Sequence, residues 1–218
     1  MSLLVHLPLR DSLIDVVGGT TWSAYGTPQP NQLIDDASCT SFLRCGLYHP
    51  TSSFPSIAIT TPFTFSVWFY PLDMRDQMLM IKYSWGQPAN NNFFIQLCAT
   101  GLVQVSATIT EAVYELNTWQ HFEISGDGTN LYVYLKGKQI LNKPIAKVLA
   151  SNALALGYPF GLGVGSGISS YVSTYSFNGY LCDFHYYDEC LHTSNFHPTG
   201  LGNQKILYAV DDLVYGYK

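Results

Sequence analysis

Apolar and polar residues alternate along most of this chain with a period of two, which predicts strands rather than helices. The clearest run is Thr64–Tyr70, where Phe65, Val67 and Phe69 point one way and Ser66, Trp68 and Tyr70 the other. Aromatic residues on both faces predict an interior strand of a sheet covered on both sides, stopped by Pro71. Further strands are predicted at Leu3–Leu9, Ser41–Cys45, Phe54–Ile59, Gln77–Tyr83, Asn92–Cys98, Leu102–Ile109, Thr118–Ser125, Leu131–Lys136 and Tyr175–Tyr187, the last with Phe184 and Tyr186 in phase. Gly126-Asp127-Gly128-Thr129 and Lys136-Gly137-Lys138 supply the turn chemistry between strands. Val148–Gly161 reads as a connection, Phe160–Gly165 as a strand edge, and Leu191–Phe196 as a single helical turn. No sustained 3.6-residue apolar period occurs, so very little helix is expected. The core is expected to hold Phe65, Val67, Phe69, Leu131, Val133, Leu135 and Phe184.

Three segments occur in a fixed order: Phe63–Pro71, Asn117–Ile140 and Phe177–Leu191. They resemble the three motifs of laminin-G-like domains within the concanavalin A-like jelly rolls. Phe63, Thr64, Trp68 and Pro71 match the first motif. Asn117, Trp119, His121, Ser125, Asp127, Gly128, Tyr134, Gly137 and Lys138 match the second, with Lys136 where an Asp or Asn is usual. Phe177, Asn178, Gly179, Asp183, Tyr187, Asp188 and Leu191 match the third, with Cys182 in place of its first Asp. The resemblance runs from about Leu3 to Leu191 and implies an all-β, two-sheet antiparallel jelly-roll sandwich. Residues 1–196 are read as that sandwich and 197–218 as an extension packed on it or on a neighbouring subunit. His121 is expected to pack beside Trp119.

At 218 residues one sandwich is the economical count. Charged residues make up 11% against roughly a quarter in ordinary soluble domains, and 16 Tyr lead the aromatics. Such a surface suits contact with neighbours or with neutral polar ligands; the strand propensity of Tyr explains it equally well. A net charge of −5 without a Lys/Arg cluster argues against nucleic acid. No run reaches the ~18 apolar residues of a membrane span. The first residues are broken by His6, Pro8 and Arg10 and do not read as a signal peptide, and no Asn-x-Ser/Thr sequon is present. Cys39, Cys45, Cys98, Cys182 and Cys190 match no zinc spacing and read as buried thiols, with a Cys39–Cys45 bridge the less favoured alternative.

Catalysis has little to stand on. Glycoside hydrolysis in related sandwiches needs closely spaced carboxylates, and the four Glu residues, Glu111, Glu115, Glu123 and Glu189, contain no i,i+2 pair. The chain therefore reads as a non-enzyme. The resemblance raises calcium as the cofactor to consider, with Asp183 and Asp11 as the side chains to hold it. Gly163, Gly165 and Gly167 fit close strand packing better than a phosphate cradle.

Two function classes remain. The resemblance extends to laminin-G-like proteins of bacteriophage virions and prophages, which implies a structural or adhesion module assembled in a host cell, with other virion proteins or copies of itself as partners. The alternative is a lectin-like receptor-binding domain for cell-surface glycan, since sugar recognition uses aromatic faces beside amides and carboxylates. Tyr83, Trp85, Asn90, Asn91 and Asn92 on one loop, and Tyr158, Tyr171 and Tyr175 on another, are the candidate ligand or interface residues. Their alternative role is packing against partner subunits.

Overall fold

The computed structural model describes residues 2–49, 61–83, 93–145, 153–157 and 175–201. Among them fifteen strands run in the order β1 Leu3–Leu7, β2 Ser23–Tyr25, β3 Gln29–Ile34, β4 Ala37–Leu43, β5 Gly46–Tyr48, β6 Phe63–Pro71, β7 Gln77–Tyr83 and β8 Phe93–Leu97, then β9 Leu102–Val105, β10 Thr108–Val113, β11 Gln120–Gly126, β12 Asn130–Leu135, β13 Lys138–Pro144, β14 Ala153–Leu156 and β15 Asn178–Tyr187. One sheet has the order β13-β12-β11-β6-β15-β4-β3, with β1 added on β15; the other runs β10-β9-β8-β7-β14-β5-β2. The named pairings are all antiparallel. The two sheets face each other across one apolar core, as in a jelly-roll sandwich.

Alternation places the core. Phe65, Val67 and Phe69 of β6, Leu131, Val133 and Leu135 of β12, and Phe184 of β15 are all buried there with Leu79, Ile95, Leu97 and Val105 of the facing sheet. β6 lies between β11 and β15, so both its edges are hydrogen-bonded. Its other face is covered too. Trp68 is buried in a second cluster with Trp119, Cys182, Ala37, Cys39 and Leu201. The expectation of a strand enclosed on both sides therefore holds.

Four local expectations are corrected. Leu102–Ile109 is two strands, because Ser106 takes a left-handed φ of 52° and folds Thr108 back onto Val105. The turn carries Ser-Ala rather than Asn-Gly, so the usual signal is missing. Val148–Gly161 contains β14, which lies between β7 and β5. Leu154, Ala155 and Leu156 are all buried, and a strand enclosed on both faces loses the alternation that marks it. Residues 191–196 form no helix. Their backbone bonds go sideways instead: Leu191 N donates to the Thr64 hydroxyl (3.0 Å) and Phe196 N to the Gly137 carbonyl (3.0 Å). Finally, the His121 ring meets Trp68 (5.0 Å) and Phe196 (5.8 Å), both edge-on, while Trp119 meets Tyr70.

All five cysteines are free. Cys39 and Cys45 lie in different apolar clusters, on opposite faces of the large sheet. Burial pushes the Cys39 thiol up to about 12 and the Cys45 thiol up to about 11, against weaker opposing backbone hydrogen bonds. Both stay protonated and unreactive at neutral pH. The proposed strands at Phe54–Ile59 and Phe160–Gly165, and the glycines at 163, 165 and 167, lie outside the described residues.

Candidate functional site

Most loop residues expected to bind ligand, Trp85, Asn90, Asn91, Asn92, Tyr158 and Tyr171, lie outside the described residues, as does the side chain of Tyr83 at the end of β7. Tyr175 is half-buried just before β15. The described residues place their own concentration of aromatic and polar side chains elsewhere, on the outer face of the large sheet.

At one end of that face, neighbouring strands align a row of rings. Tyr180 of β15 pairs in register with Tyr70 of β6. Tyr70 meets Tyr180 at 5.8 Å and Trp119 at 5.5 Å, both edge-on. Trp119 is buried and its indole N–H donates to the Ile34 carbonyl (3.1 Å), which fixes the row against the end of β3. Tyr70 and Tyr180 are only half-buried, so their ring surfaces reach solvent. Beside them β3 and β4 are joined by Asp35-Asp36, a two-residue turn with left-handed φ of 50° and 63° and both side chains exposed. Burial first, then the negative charge of Asp35, raises the Tyr70 phenol, so the hydroxyl is a neutral donor across the physiological range. Stacking surface, phenolic hydroxyls and a carboxylate thus meet at one solvent-facing place. The sequence carried the signal. Tyr70 and Tyr180 are the out-of-phase residues in strands whose alternate positions are core, but only sheet register shows that they adjoin.

Further along, the face becomes polar and closed. Glu123 of β11 is buried; its Oε1 lies 2.7 Å from His192 Nδ1 and accepts from the Ser125 hydroxyl at 2.8 Å. Burial raises the Glu123 carboxyl, and the contacts with His192 and Ser125 oppose that shift. The Ser125 and Thr64 hydroxyls are 2.9 Å apart, and Thr64 donates to the Glu189 carbonyl at 2.6 Å. His121 beside them is held neutral: burial, then the charges of His185 and His192, lowers it to about 3.

At the β1 edge, His6 stacks on His185 (4.2 Å) and His185 on Tyr187 (5.8 Å). A bulge in β15 gives Asp183 a left-handed φ of 49° and keeps Leu181 and Phe184 both in the core. Asp183 Oδ2 accepts from Arg10 at 2.8 Å and Oδ1 faces His6 at 3.5 Å. Burial would raise this carboxyl, but the hydrogen bonds from His6 and Arg10 and the Arg10 charge win and hold it below the usual range. A guanidinium therefore stands where a calcium ion would need to sit, and Asp11 is exposed on a bend. Calcium requires several oxygen ligands, and this donor set does not fit it. Among the described residues no group of three or more His, Cys, Asp or Glu side chains is placed to hold a metal ion. No helix among them is long and apolar enough to cross a membrane.

The family model of the concanavalin A-like lectin/glucanases superfamily, in its laminin-G form, matches residues 47–195. The chain belongs to that superfamily. No curated protein sequence matches it. Its fold is similar to domain 4 of AbnA, an extracellular arabinanase of Geobacillus stearothermophilus solved with arabinotriose: TM-score 0.65 at 14% identity, covering 88% of this chain and 94% of that one. It is also similar to botulinum neurotoxin type C, in a structure concerned with its interaction with two ganglioside molecules (TM-score 0.61, 13% identity, 88% of this chain and 49% of that one). The binding domain of botulinum neurotoxin DC, solved with SialylT, gives 0.59 at 12% identity over 88% of this chain and 48% of that one. The chain spans about half the length of these two toxin chains. At such identities the likeness is one of fold.

Proposed function

We propose that this protein is a carbohydrate-binding module whose solvent-facing site is the Tyr70–Tyr180 platform with Asp35. The observation that carries the reading is the in-register row Trp119–Tyr70–Tyr180, anchored by a buried indole and left half-exposed at its two phenols. A sugar ring offers an apolar face to such rings and hydroxyls to the phenols and the carboxylate. The superfamily membership supports the reading, as do structural relatives solved with arabinotriose and with SialylT. Within this reading the chain binds without cleaving. Glycoside hydrolysis needs two carboxyl groups about 5–9.5 Å apart, whereas buried Glu123 is answered by a histidine and a serine.

Titration with arabinotriose and with sialyllactose tests this reading. Tyr70→Ala and Tyr180→Ala are each expected to weaken binding by ~1–3 kcal/mol, the scale of an aromatic anchor, with unchanged far-ultraviolet circular dichroism. Unaltered affinity in both variants would place the site elsewhere. A second reading, a structural or adhesion module of a virus particle, is supported by the 11% charged content alone. Copy number on purified particles tests it: many copies favour a structural coat role, and a few at a tip favour receptor binding.

A further inference from the structure

The segment Glu189–Leu201 crosses the outer face of the large sheet as a strap without regular secondary structure. Its residues from Leu191 to Gly200 are half-buried or exposed, yet the side chains it covers are almost fully buried. The Thr64 hydroxyl donates to the Glu189 carbonyl and accepts from Leu191 N, His192 Nδ1 meets Glu123 Oε1, Gln139 N donates to Asn195 Oδ1 and Phe196 N donates to the Gly137 carbonyl. His192 and Phe196 stack nearly parallel, 3.6 Å apart and 6° from coplanar. Phe196 meets Tyr134 (5.1 Å) and His121 (5.8 Å), both rings edge-on to it.

Two groups beneath the strap are unanswered. The Tyr134 hydroxyl and His121 Nδ1 are buried and have no hydrogen-bond partner among the described residues, although Tyr134 is 0% and His121 6% exposed. Each such group costs ~1–3 kcal/mol, and native structures leave few of them. The two known contacts of Glu123 both fall on Oε1, so Oε2 takes part in neither. Under the strap, then, lie the Tyr134 phenol, the neutral His121 imidazole, the Glu123 carboxylate and the hydroxyls of Ser125 and Thr64, with Trp68 edge-on to His121. The strap has no regular secondary structure and is half-buried or exposed from Leu191 to Gly200, so it opens at a lower free energy than the sheet it covers.

We propose that this covered face is a second, latent saccharide site, which the strap occupies until a ligand displaces it. A pyranose or furanose ring fits the exchange. Its ring takes the place of the His192–Phe196 pair, which stands edge-on to Tyr134, and its hydroxyls satisfy Tyr134, His121 and Glu123 together. The set does not suit an anion, because His121 is neutral and Glu123 would repel one. This inference rests on the carbohydrate-binding reading but concerns a different part of the sheet from Tyr70 and Tyr180.

The full-length chain tests it in two ways. Tyr134→Phe removes only the unanswered hydroxyl and is expected to melt about 2–4 °C higher than the wild type. A lower melting temperature would mean that the hydroxyl already has a partner, and the inference would fall. Phe196→Ala, checked for its sheet spectrum, is expected to bind the neutral arabinotriose with a second equivalent per chain, or about tenfold more tightly. That gain should vanish in Phe196→Ala combined with Tyr134→Phe and persist in Phe196→Ala combined with Tyr70→Ala. If the wild type binds through Tyr70 and Phe196→Ala adds nothing, the latent site is wrong while the platform stands. If Phe196→Ala binds regardless of Tyr70→Ala and the wild type does not bind, the platform is wrong and the latent site stands. Binding by no variant overturns both.

Discussion

Trp68→Ala is expected to destabilise the protein by ~3–5 kcal/mol, the usual cost of deleting a buried Trp or Phe side chain. On a chain of this size that lowers the melting temperature by roughly 10 °C. The residue points away from the main core, and on an open sheet face its loss would cost far less. Here it is 1% exposed, packed with Trp119, Cys182 and Leu201 and edge-on to His121. Phe65→Ala, on the opposite side of the same strand, should cost a similar amount. Leu43→Ala, at a site 59% exposed, should stay within about 0.5 kcal/mol. Urea titrations of the three variants make the comparison. A Trp68 variant as stable as the Leu43 variant would show that the outer face is not a core in its own right.

Acidification should have the next largest effect. His121 is lowered to about 3, chiefly by burial, and His185 to about 4, by burial and then the His6 charge. In the unfolded chain both titrate near 6.5. Between these values the unfolded state binds protons that the folded state refuses, so stability is complete above pH 6.5 and falls as pH drops towards 4. Glu123 works in the opposite direction, because its raised carboxyl favours the folded state on the acid side. Asp183, held low, adds its loss only below the ordinary aspartate range. The net expectation is a loss on the order of 3 kcal/mol between pH 7 and pH 4. His185→Gln should flatten the slope. A melting temperature constant from pH 7 to pH 5 in the wild type would contradict the burial of neutral imidazoles on this face.

The fold was legible where alternation met turn chemistry. β6, β11 and β12 show a period of two and end in Pro, Asp-Gly or Lys-Gly, β15 keeps Phe184 and Tyr186 in phase beyond its internal bulge, and the core residues expected from these strands are all buried. Legibility failed where burial erased the period, as in β14, and where a turn used residues without a signature, as at Ser106. The platform failed to show for a different reason. Tyr70 and Tyr180 are 110 positions apart in sequence and become neighbours only through the pairing of β6 with β15. Glu123 and His192 are likewise 69 positions apart and meet because the strap returns across β11. Side chains assembled by non-local pairing leave no local trace in the sequence.

The strap also redraws the border of the folded unit. The family match ends at residue 195 and the last strand among the described residues at Tyr187, yet Phe196 seals Tyr134 and Leu201 is 1% exposed against Trp68 and Trp119. Gly137 is left-handed at φ 75°, and a methyl there would overlap the Phe196 carbonyl, so the hairpin turn of β12–β13 has the shape of a seat for that residue. A protease cutting between Tyr187 and Phe196 would therefore detach not a tail but the roof of the second core. Excision and grafting of the sandwich into other proteins should keep the chain through Leu201.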